Sequence, residues 1–208
     1  MVQDEYPLEA CDFDGLLREV SEYLDVGARL PVLPFKARGR VVLICEFDRT
    51  VGGDFGEVVA SLAAVHRDDA VTVVVLDPDA GYYRTFYQCT PGFRLSRSSL
   101  AESYRSRMWH EPLGDPTGAI GHSANVFAIV GSSGAWALWA QRDWELGILM
   151  VPNPVGPWRE VGIPFFDPQH DFDDLRAPAG WGMPLSDEVV AQFRSNIREL
   201  ERPENGLR

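Results

Sequence analysis

The sequence lacks the features that mark secreted, disulfide-bonded or membrane-spanning chains. Its three cysteines, Cys11, Cys45 and Cys89, are odd in number and widely spaced, a pattern that predicts neither a disulfide framework nor a zinc knuckle. No apolar run approaches the ~20 residues that a membrane-spanning helix needs. The N-terminus is acidic and has no apolar stretch of the kind that secretory signals carry. We therefore expect a cytoplasmic protein with reduced cysteines.

Positive charge is also scarce, since Lys36 is the only lysine and 19 basic residues stand against 31 acidic ones. The formal net charge of −12 disfavours nucleic acid, whose phosphates require a basic footprint, and it disfavours an anionic membrane surface. The acidic residues are concentrated in residues 1–60 and 121–208, whereas residues 61–120 are nearly balanced. Such a surface favours solubility, and it can also steer a partner protein of basic character.

Apolar periodicity predicts four helices. The first begins at Phe13 behind Asp12, a residue that favours helix N-caps, and the last begins behind Ser186. The other two follow capping boxes, in which a polar residue and a glutamate three positions later pair with each other's backbone groups. These boxes are Asp54–Glu57 and Ser99–Glu102.

Runs of β-branched and aromatic residues predict the strands. Residues 40–48 and 71–76 flank the helix behind Asp54, and this order is typical of a parallel βαβ crossover. An antiparallel return is the alternative, because the sequence does not fix strand direction. The aromatic run 82–89 predicts a third strand. Tight loops separate three later runs and predict an antiparallel meander; these runs are 125–130, 135–140 and 144–151.

Together these elements predict one mixed α/β domain over residues 1–208. Its central mixed sheet has a βαβ-like N-terminal half and an antiparallel meander in the C-terminal half, with about four helices. Residues 152–184 differ from the rest, since they carry seven of the fifteen prolines and no clean periodicity. A segment of this length is often functional, here as a contact for a partner or a larger assembly. The alternative is a proline-fixed segment that packs its aromatic side chains over the sheet.

Two near-motifs suggest enzymatic chemistry without completing it. Residues 46–51, Glu-Phe-Asp-Arg-Thr-Val, resemble the first motif of haloacid-dehalogenase-type phosphotransferases, in which Asp-x-Asp-x-Thr enters a magnesium site. Glu46 stands in the place of the nucleophilic aspartate and no lysine follows Lys36, so phosphoryl transfer lacks two groups that it requires. Residues 121–125, Gly-His-Ser-Ala-Asn, resemble the nucleophile elbow of α/β-hydrolases, and Asp167 and His170 follow in triad order. Ser123 precedes a predicted strand rather than a helix, so the elbow lacks its context.

Three carboxylates define an alternative enzymatic hypothesis. Asp48 and Asp77 each follow an apolar strand, and parallel neighbours would bring both to the carboxyl edge of the sheet, where ligands bind in open α/β folds. With Asp79 they would offer oxygen ligands to a hard cation, as in a small metal-dependent hydrolase or phosphate-ester enzyme. The segment Asp77-Pro78-Asp79 is more typical of an ordinary turn than of a cation site.

Aromatic and charged side chains supply the candidate partner contacts. Alternation places Trp136 and Trp139 on opposite faces of the meander, so the sheet is either covered on both faces or exposes an aromatic patch. The candidate protein-binding residues are Trp136, Trp139, Trp144, Trp158, Trp181, Asp171, Asp173 and Asp174. An arginine-rich stretch is a candidate anion or partner patch, with ion pairs to the acidic ends of the chain as the alternative; its residues are Arg94, Arg97, Arg105 and Arg107.

The meander also carries a resemblance. Residues 136–148, Trp-Ala-Leu-Trp-Ala-Gln-Arg-Asp-Trp-Glu-Leu-Gly-Ile, resemble small actinobacterial proteins, some of which are immunity partners of polymorphic toxins. The resemblance has no defining motif and brings no catalytic residue or cofactor with it. It implies a non-enzymatic protein that binds a basic toxin by electrostatic steering and blocks its site.

Overall fold

A computed structural model describes residues 12–176 and 185–203. In this part of the chain six strands form one sheet, and every neighbouring pair is antiparallel. The order across the sheet is β1-β6-β5-β4-β2-β3. The strands are β1 (Val41–Glu46), β2 (Ala70–Asp77), β3 (Gly92–Ser96), β4 (Val126–Gly131), β5 (Ala137–Gln141) and β6 (Leu146–Val151).

The four helices predicted from periodicity are present. The Asp12 carboxylate accepts a hydrogen bond from the Gly15 amide at 2.9 Å, and Ser186 Oγ accepts one from the Val189 amide at 3.3 Å. These bonds satisfy backbone donors that a helix N-terminus leaves unpaired. The predicted helices are α1 (Phe13–Tyr23), α3 (Phe55–His66), α5 (Leu100–Met108) and α8 (Asp187–Glu201), and the further ones are α2 (Phe47–Val51), α4 (Ala80–Tyr87), α6 (Ile120–Ser123) and α7 (Phe172–Arg176).

Helix α4 corrects the third strand predicted over residues 82–89. The Asp79 side chain accepts a hydrogen bond from the Tyr82 amide at 2.9 Å and so caps the helix. Tyr83 and Tyr87, one turn apart, both bury their rings against the sheet. A cap and one buried helical face outweigh the β propensity of the aromatic residues. The third strand is β3, at Gly92–Ser96.

The prediction of a parallel βαβ unit is also wrong. Strands β1 and β2 run in the same direction, but β6, β5 and β4 lie between them. The meander of β4, β5 and β6 is confirmed, and it supplies the antiparallel neighbour of both N-terminal strands. Because strand pairing joins residues far apart in the chain, the local order of elements did not determine it.

Helices cover both faces of the sheet. Alternate residues of β1 point to opposite sides, so that Leu43 and Cys45 join one apolar cluster while Val42 and Ile44 join the other. Helices α2 to α6 pack on the first face, and α1, α7 and α8 pack on the second. Among residues 12–176 and 185–203, no helix combines the length and the apolar character needed to cross a membrane.

The described part of the segment 152–184 packs its aromatic side chains onto the sheet. Trp158 lies edge-on to Phe165 with ring centroids 5.3 Å apart, and Phe165 lies 6.4 Å from Phe55 of α3. Phe166 exchanges two backbone hydrogen bonds with Ile44 and so covers the outer edge of β1. Up to residue 176, this segment follows the proline-fixed packing alternative, which also protects an exposed strand edge.

Candidate functional site

Four of the tryptophans predicted to contact a partner are core residues. Trp136, Trp139, Trp144 and Trp158 are each at most 4% exposed. Trp136 lies on one face and Trp139 on the other, as alternation predicts, and helices cover both faces. A side chain that its own chain shields from water offers no surface to a partner, so these residues are corrected from binding to packing. Trp181 lies outside the described residues.

The predicted acidic patch has a partly structural role. Asp171 accepts a hydrogen bond from the Asp167 backbone amide at 2.9 Å, which closes the turn ahead of α7. Asp173 pairs with Arg194 of α8 at 3.0 Å, while 69% of its side chain stays exposed. The side chain of Asp174 lies outside what the structure describes. The patch therefore fastens α7 to α8 and still presents negative charge at the surface.

Among the helices, acidic residues are concentrated on one face of the sheet. Helices α1, α7 and α8 contain nine acidic and four basic residues. Helices α2 to α6, on the other face, contain three acidic residues and four arginines. We call α1, α7 and α8 the acidic layer and α2 to α6 the opposite layer. The sequence showed acidic outer thirds, and the fold places helices from both thirds on the same face of the sheet.

The arginine-rich stretch does not act as one patch. Arg94 of β3 pairs with Glu19 of α1 at 3.0 Å, which matches the alternative of ion pairs to the acidic ends of the chain. Arg97 lies in a 3₁₀ turn, whereas Arg105 and Arg107 belong to the last turn of α5. Arg107 lines a small cavity of about 30 Å³ beneath the start of β3.

The opposite layer exposes an aromatic surface that sequence reasoning missed. Phe86 is 62% and Tyr82 37% exposed, and their ring centroids lie 4.9 Å apart on α4. The run 82–89 was predicted as a strand, and the i, i+4 pair of Tyr82 and Phe86 becomes one face only on a helix.

The three carboxylates of the enzymatic hypothesis do not form one site. Asp48 lies in α2 behind β1, Asp77 ends β2, and Asp79 caps α4. Four inter-strand spacings separate the ends of β1 and β2, which is roughly 19 Å at about 4.8 Å each. In the described ranges, no group of three or more His, Cys, Asp or Glu residues is arranged to hold a metal ion. The three carboxylates do not meet because β6, β5 and β4 lie between β1 and β2.

A polar cleft does lie at this end of the sheet. Asp77 of β2 is opposite Val126 of β4, which is opposite Gln141 of β5, so the register brings three strand ends into one row. The cleft has a volume of about 350 Å³. We call it the edge cleft, and it is lined by Arg29, Asp77, Asn125, Val126, Gln141, Arg142 and Asp143.

Arg142 forms one wall of the edge cleft and is held in place on three sides. Its Nε donates to the Ala124 carbonyl at 2.9 Å, and its Nη2 donates to the carbonyls of Gly121 and His122. The guanidinium carbon lies 4.5 Å from the ring centroid of Phe47. Burial lowers the pKa of Arg142, and the nearby carboxylate of Asp48 opposes that shift. Arg142 therefore stands between the two carboxylates that the sequence placed at this edge.

Gln141 and Arg29 supply the other polar groups of the cleft. Gln141 is only 3% exposed, and its Oε1 accepts hydrogen bonds from the Leu30 amide at 3.1 Å and from Trp139 Nε1 at 3.4 Å. Its amide nitrogen donates no hydrogen bond to any residue that the structure describes. Arg29 donates through Nη1 to the carbonyls of Val26 and Ala28.

The proposed nucleophile elbow is not assembled. Ser123 Oγ lies 2.6 Å from the Tyr83 hydroxyl and donates to the Ala119 carbonyl at 2.9 Å. Burial raises the pKa of Tyr83 to about 12, although the Ser123 contact acts in the other direction. Asp167 and His170 form a turn ahead of α7, on the other face of the sheet. Ser123 is the last residue of α6, and its hydroxyl bonds back to the carbonyl four positions earlier, so the prediction that it starts a strand is also corrected.

The two described cysteines are not activated thiols. Cys45 is fully buried in β1 and Cys89 is half-buried behind α4, and neither forms a disulfide. Burial raises the pKa of both thiols above the ordinary range, so the reactive thiolate is disfavoured. Cys11 lies outside the described residues.

Comparison with protein-family models, with curated proteins and with solved structures found no match. The functional inference therefore rests on the residues and geometry of this chain. Two features stand out, the one-sided charge of the acidic layer and the polar edge cleft. The cleft residues Arg29, Asn125 and Gln141 were missed from the sequence, because only the sheet register brings them together.

Proposed function

We propose that this chain is a protein-binding domain of the immunity type, which blocks a basic toxin by covering it with the acidic layer. The observation that carries the proposal is the one-sided charge. Nine acidic and four basic residues lie in the helices of this layer, against three acidic and four basic residues in the other. A field concentrated on one face steers and orients an oppositely charged partner.

Most of this charge is available for a partner. Glu22, Glu188 and Glu199 are exposed, and none of them is in an ion pair with another described residue. In its ion pair with Arg194, Asp173 keeps 69% of its side chain exposed, whereas Glu19, paired with Arg94 of β3, keeps 21%. Rim charges of this kind change association rate and salt dependence more than they change final affinity.

The proposal is tested with two triple variants of equal net charge. One carries Glu22→Gln, Glu188→Gln and Glu199→Gln, all in the acidic layer. The matched control neutralises exposed glutamates on the other side of the sheet; its changes are Glu57→Gln, Glu102→Gln and Glu111→Gln. Since each variant loses three charges, any difference between them reports where the charge lies and not how much there is.

The binding probes are the basic proteins encoded beside the gene for this chain, purified and tested one at a time by biolayer interferometry. We expect one of them to bind, and the acidic-layer variant to lose about tenfold or more in association rate, with less than about twofold for the control. Added salt should narrow the gap, because screening weakens exposed charges. If no basic neighbour binds, or if both variants lose equally, the proposal fails.

The enzymatic alternative that requires Asp48, Asp77 and Asp79 in one metal site is not proposed. Asp79 is engaged as the cap of α4, and the ends of β1 and β2 are separated by three strands. The carboxylate that remains in a cavity is Asp77, in the edge cleft.

A further inference from the structure

The polar side chains that line the edge cleft are held in fixed positions by the fold. Gln141 ends β5 and Asp77 ends β2, with Val126 of β4 between them in the register of the sheet. Gln141 is held by two hydrogen bonds to its Oε1, and Arg142 by three bonds to carbonyls. Polar groups held on rigid elements in this way are what a specific ligand site requires.

One donor of the cleft lacks a protein partner. Gln141 is nine-tenths buried or more, yet its amide nitrogen donates to no described residue, although it lines the cleft. The nitrogen is not among the buried polar atoms that lack a partner in the described residues, so it reaches the open volume of the cleft. It is therefore free to donate to a ligand that binds there.

The charged groups of the cleft have both signs. Among the described residues, the carboxylates of Asp77 and Asp143 accept no hydrogen bond, and Arg29 donates only through its Nη1. Two carboxylates and two guanidinium groups share one volume, so the lining is close to neutral overall. Such a lining complements a ligand that carries one positive and one negative group, and it disfavours a simple cation or anion.

The volume of the cleft limits the size of the ligand that it can hold. A volume of about 350 Å³ is near the lower end of small-molecule sites, which span roughly 300–1,000 Å³. We propose that the edge cleft binds a small zwitterion of the size of a free α-amino acid. Asp77 and Asp143 receive its ammonium group, and Gln141 and Arg29 receive its carboxylate. This site is independent of the acidic layer and of the toxin-binding role.

The test uses the twenty protein L-amino acids as probes, each at about 10 mM, a concentration that detects millimolar affinity. Thermal shift and isothermal titration calorimetry on the full chain give the binding. We expect at least one amino acid to raise the melting temperature. Its N-acetyl and carboxamide derivatives, which each lack one charge, should bind about tenfold or more weakly.

Variants locate the site. Gln141→Glu keeps an acceptor for Leu30 and Trp139 but places a carboxylate against the ligand's own, and we expect it to abolish binding. Asp77→Asn should weaken binding about tenfold, with Asp54→Asn, an exposed turn residue, as the matched control. Should Gln141→Glu fail to fold, Asp77→Asn and Arg29→Gln carry the test alone. If no amino acid binds, if the N-acetyl derivative binds equally well, or if Asp77→Asn binds like its control, the inference is overturned.

Discussion

The acidic layer and the opposite layer pack on the same sheet, yet they differ on their outer faces. The sheet and each layer bury aromatic side chains against each other, with Trp139 of β5 and Phe193 under the acidic layer and Trp136 and Tyr83 under the opposite layer. Toward solvent, the acidic layer presents carboxylates, whereas the opposite layer presents Tyr82 and Phe86 with few net charges. The two layers are therefore alike where they pack on the sheet and unlike where they face solvent.

The largest expected loss of stability comes from removing a core tryptophan on either face of the sheet, and it tests whether the two inner faces are equivalent. Trp136→Ala and Trp139→Ala each empty a fully buried site on opposite faces, and each should lower the free energy of unfolding by about 3–5 kcal/mol. Urea unfolding followed by circular dichroism measures this loss. Phe86→Ala, at an exposed position of the opposite layer, is the control and should cost less than about 0.5 kcal/mol. If the Trp136→Ala or Trp139→Ala variant folds with unchanged stability, that tryptophan is not a core residue. The two faces of the sheet would then not be equivalent in packing.

A smaller effect is expected at Asp68, a buried anchor on the side of the opposite layer. Its carboxylate accepts from Trp136 Nε1 at 2.7 Å and from the Ser133 backbone amide at 2.6 Å. Asp68→Ala leaves two donors unpaired and should cost about 2–3 kcal/mol of unfolding free energy, measured by urea titration. Asp69→Ala, at its exposed neighbour, is the control. An equal loss in both variants would show that the turn itself, rather than the Asp68 bonds, is responsible.

The elements predicted correctly are those that local sequence determines. Helices α1 and α8 show their apolar stripes and caps within a few residues, and the meander strands show their tight loops. The pairing of β1 with β6 joins residues about a hundred positions apart in the chain, so no local pattern reported it. The same holds for the edge cleft, whose row of Asp77, Val126 and Gln141 exists only through the register. Helix α4 was missed for another reason, since its cap Asp79 was interpreted as turn chemistry.

Ion pairs should contribute least to stability in either layer. Asp173 with Arg194 lies inside the acidic layer, and Glu19 with Arg94 joins that layer to β3. Each is at least partly exposed, so a double-mutant cycle with Asp173→Asn and Arg194→Met should give a coupling of less than about 1 kcal/mol. The cycle with Glu19→Gln and Arg94→Met should give a similar value, and both should shrink in salt. A coupling several times larger in one pair would identify it as a structural link between elements.

The smallest expected effect is a difference between the two layers in how they make the free energy of unfolding depend on pH. Burial lowers the pKa of His66, at the end of α3 in the opposite layer, below its usual value of 6.5, and Asp68 only partly offsets this. The folded state therefore favours neutral His66. Its contribution to the free energy of unfolding is complete above pH 6.5 and is lost as the pH falls below that value. His66→Gln should flatten the decline in unfolding free energy as the pH falls below 6.5, measured by urea titration at each pH. The control His170→Gln, at an exposed position beside the acidic layer, should leave the decline unchanged. If His170→Gln flattened the decline instead, the pH response would belong to the acidic layer, and the division between the two faces would need to be redrawn.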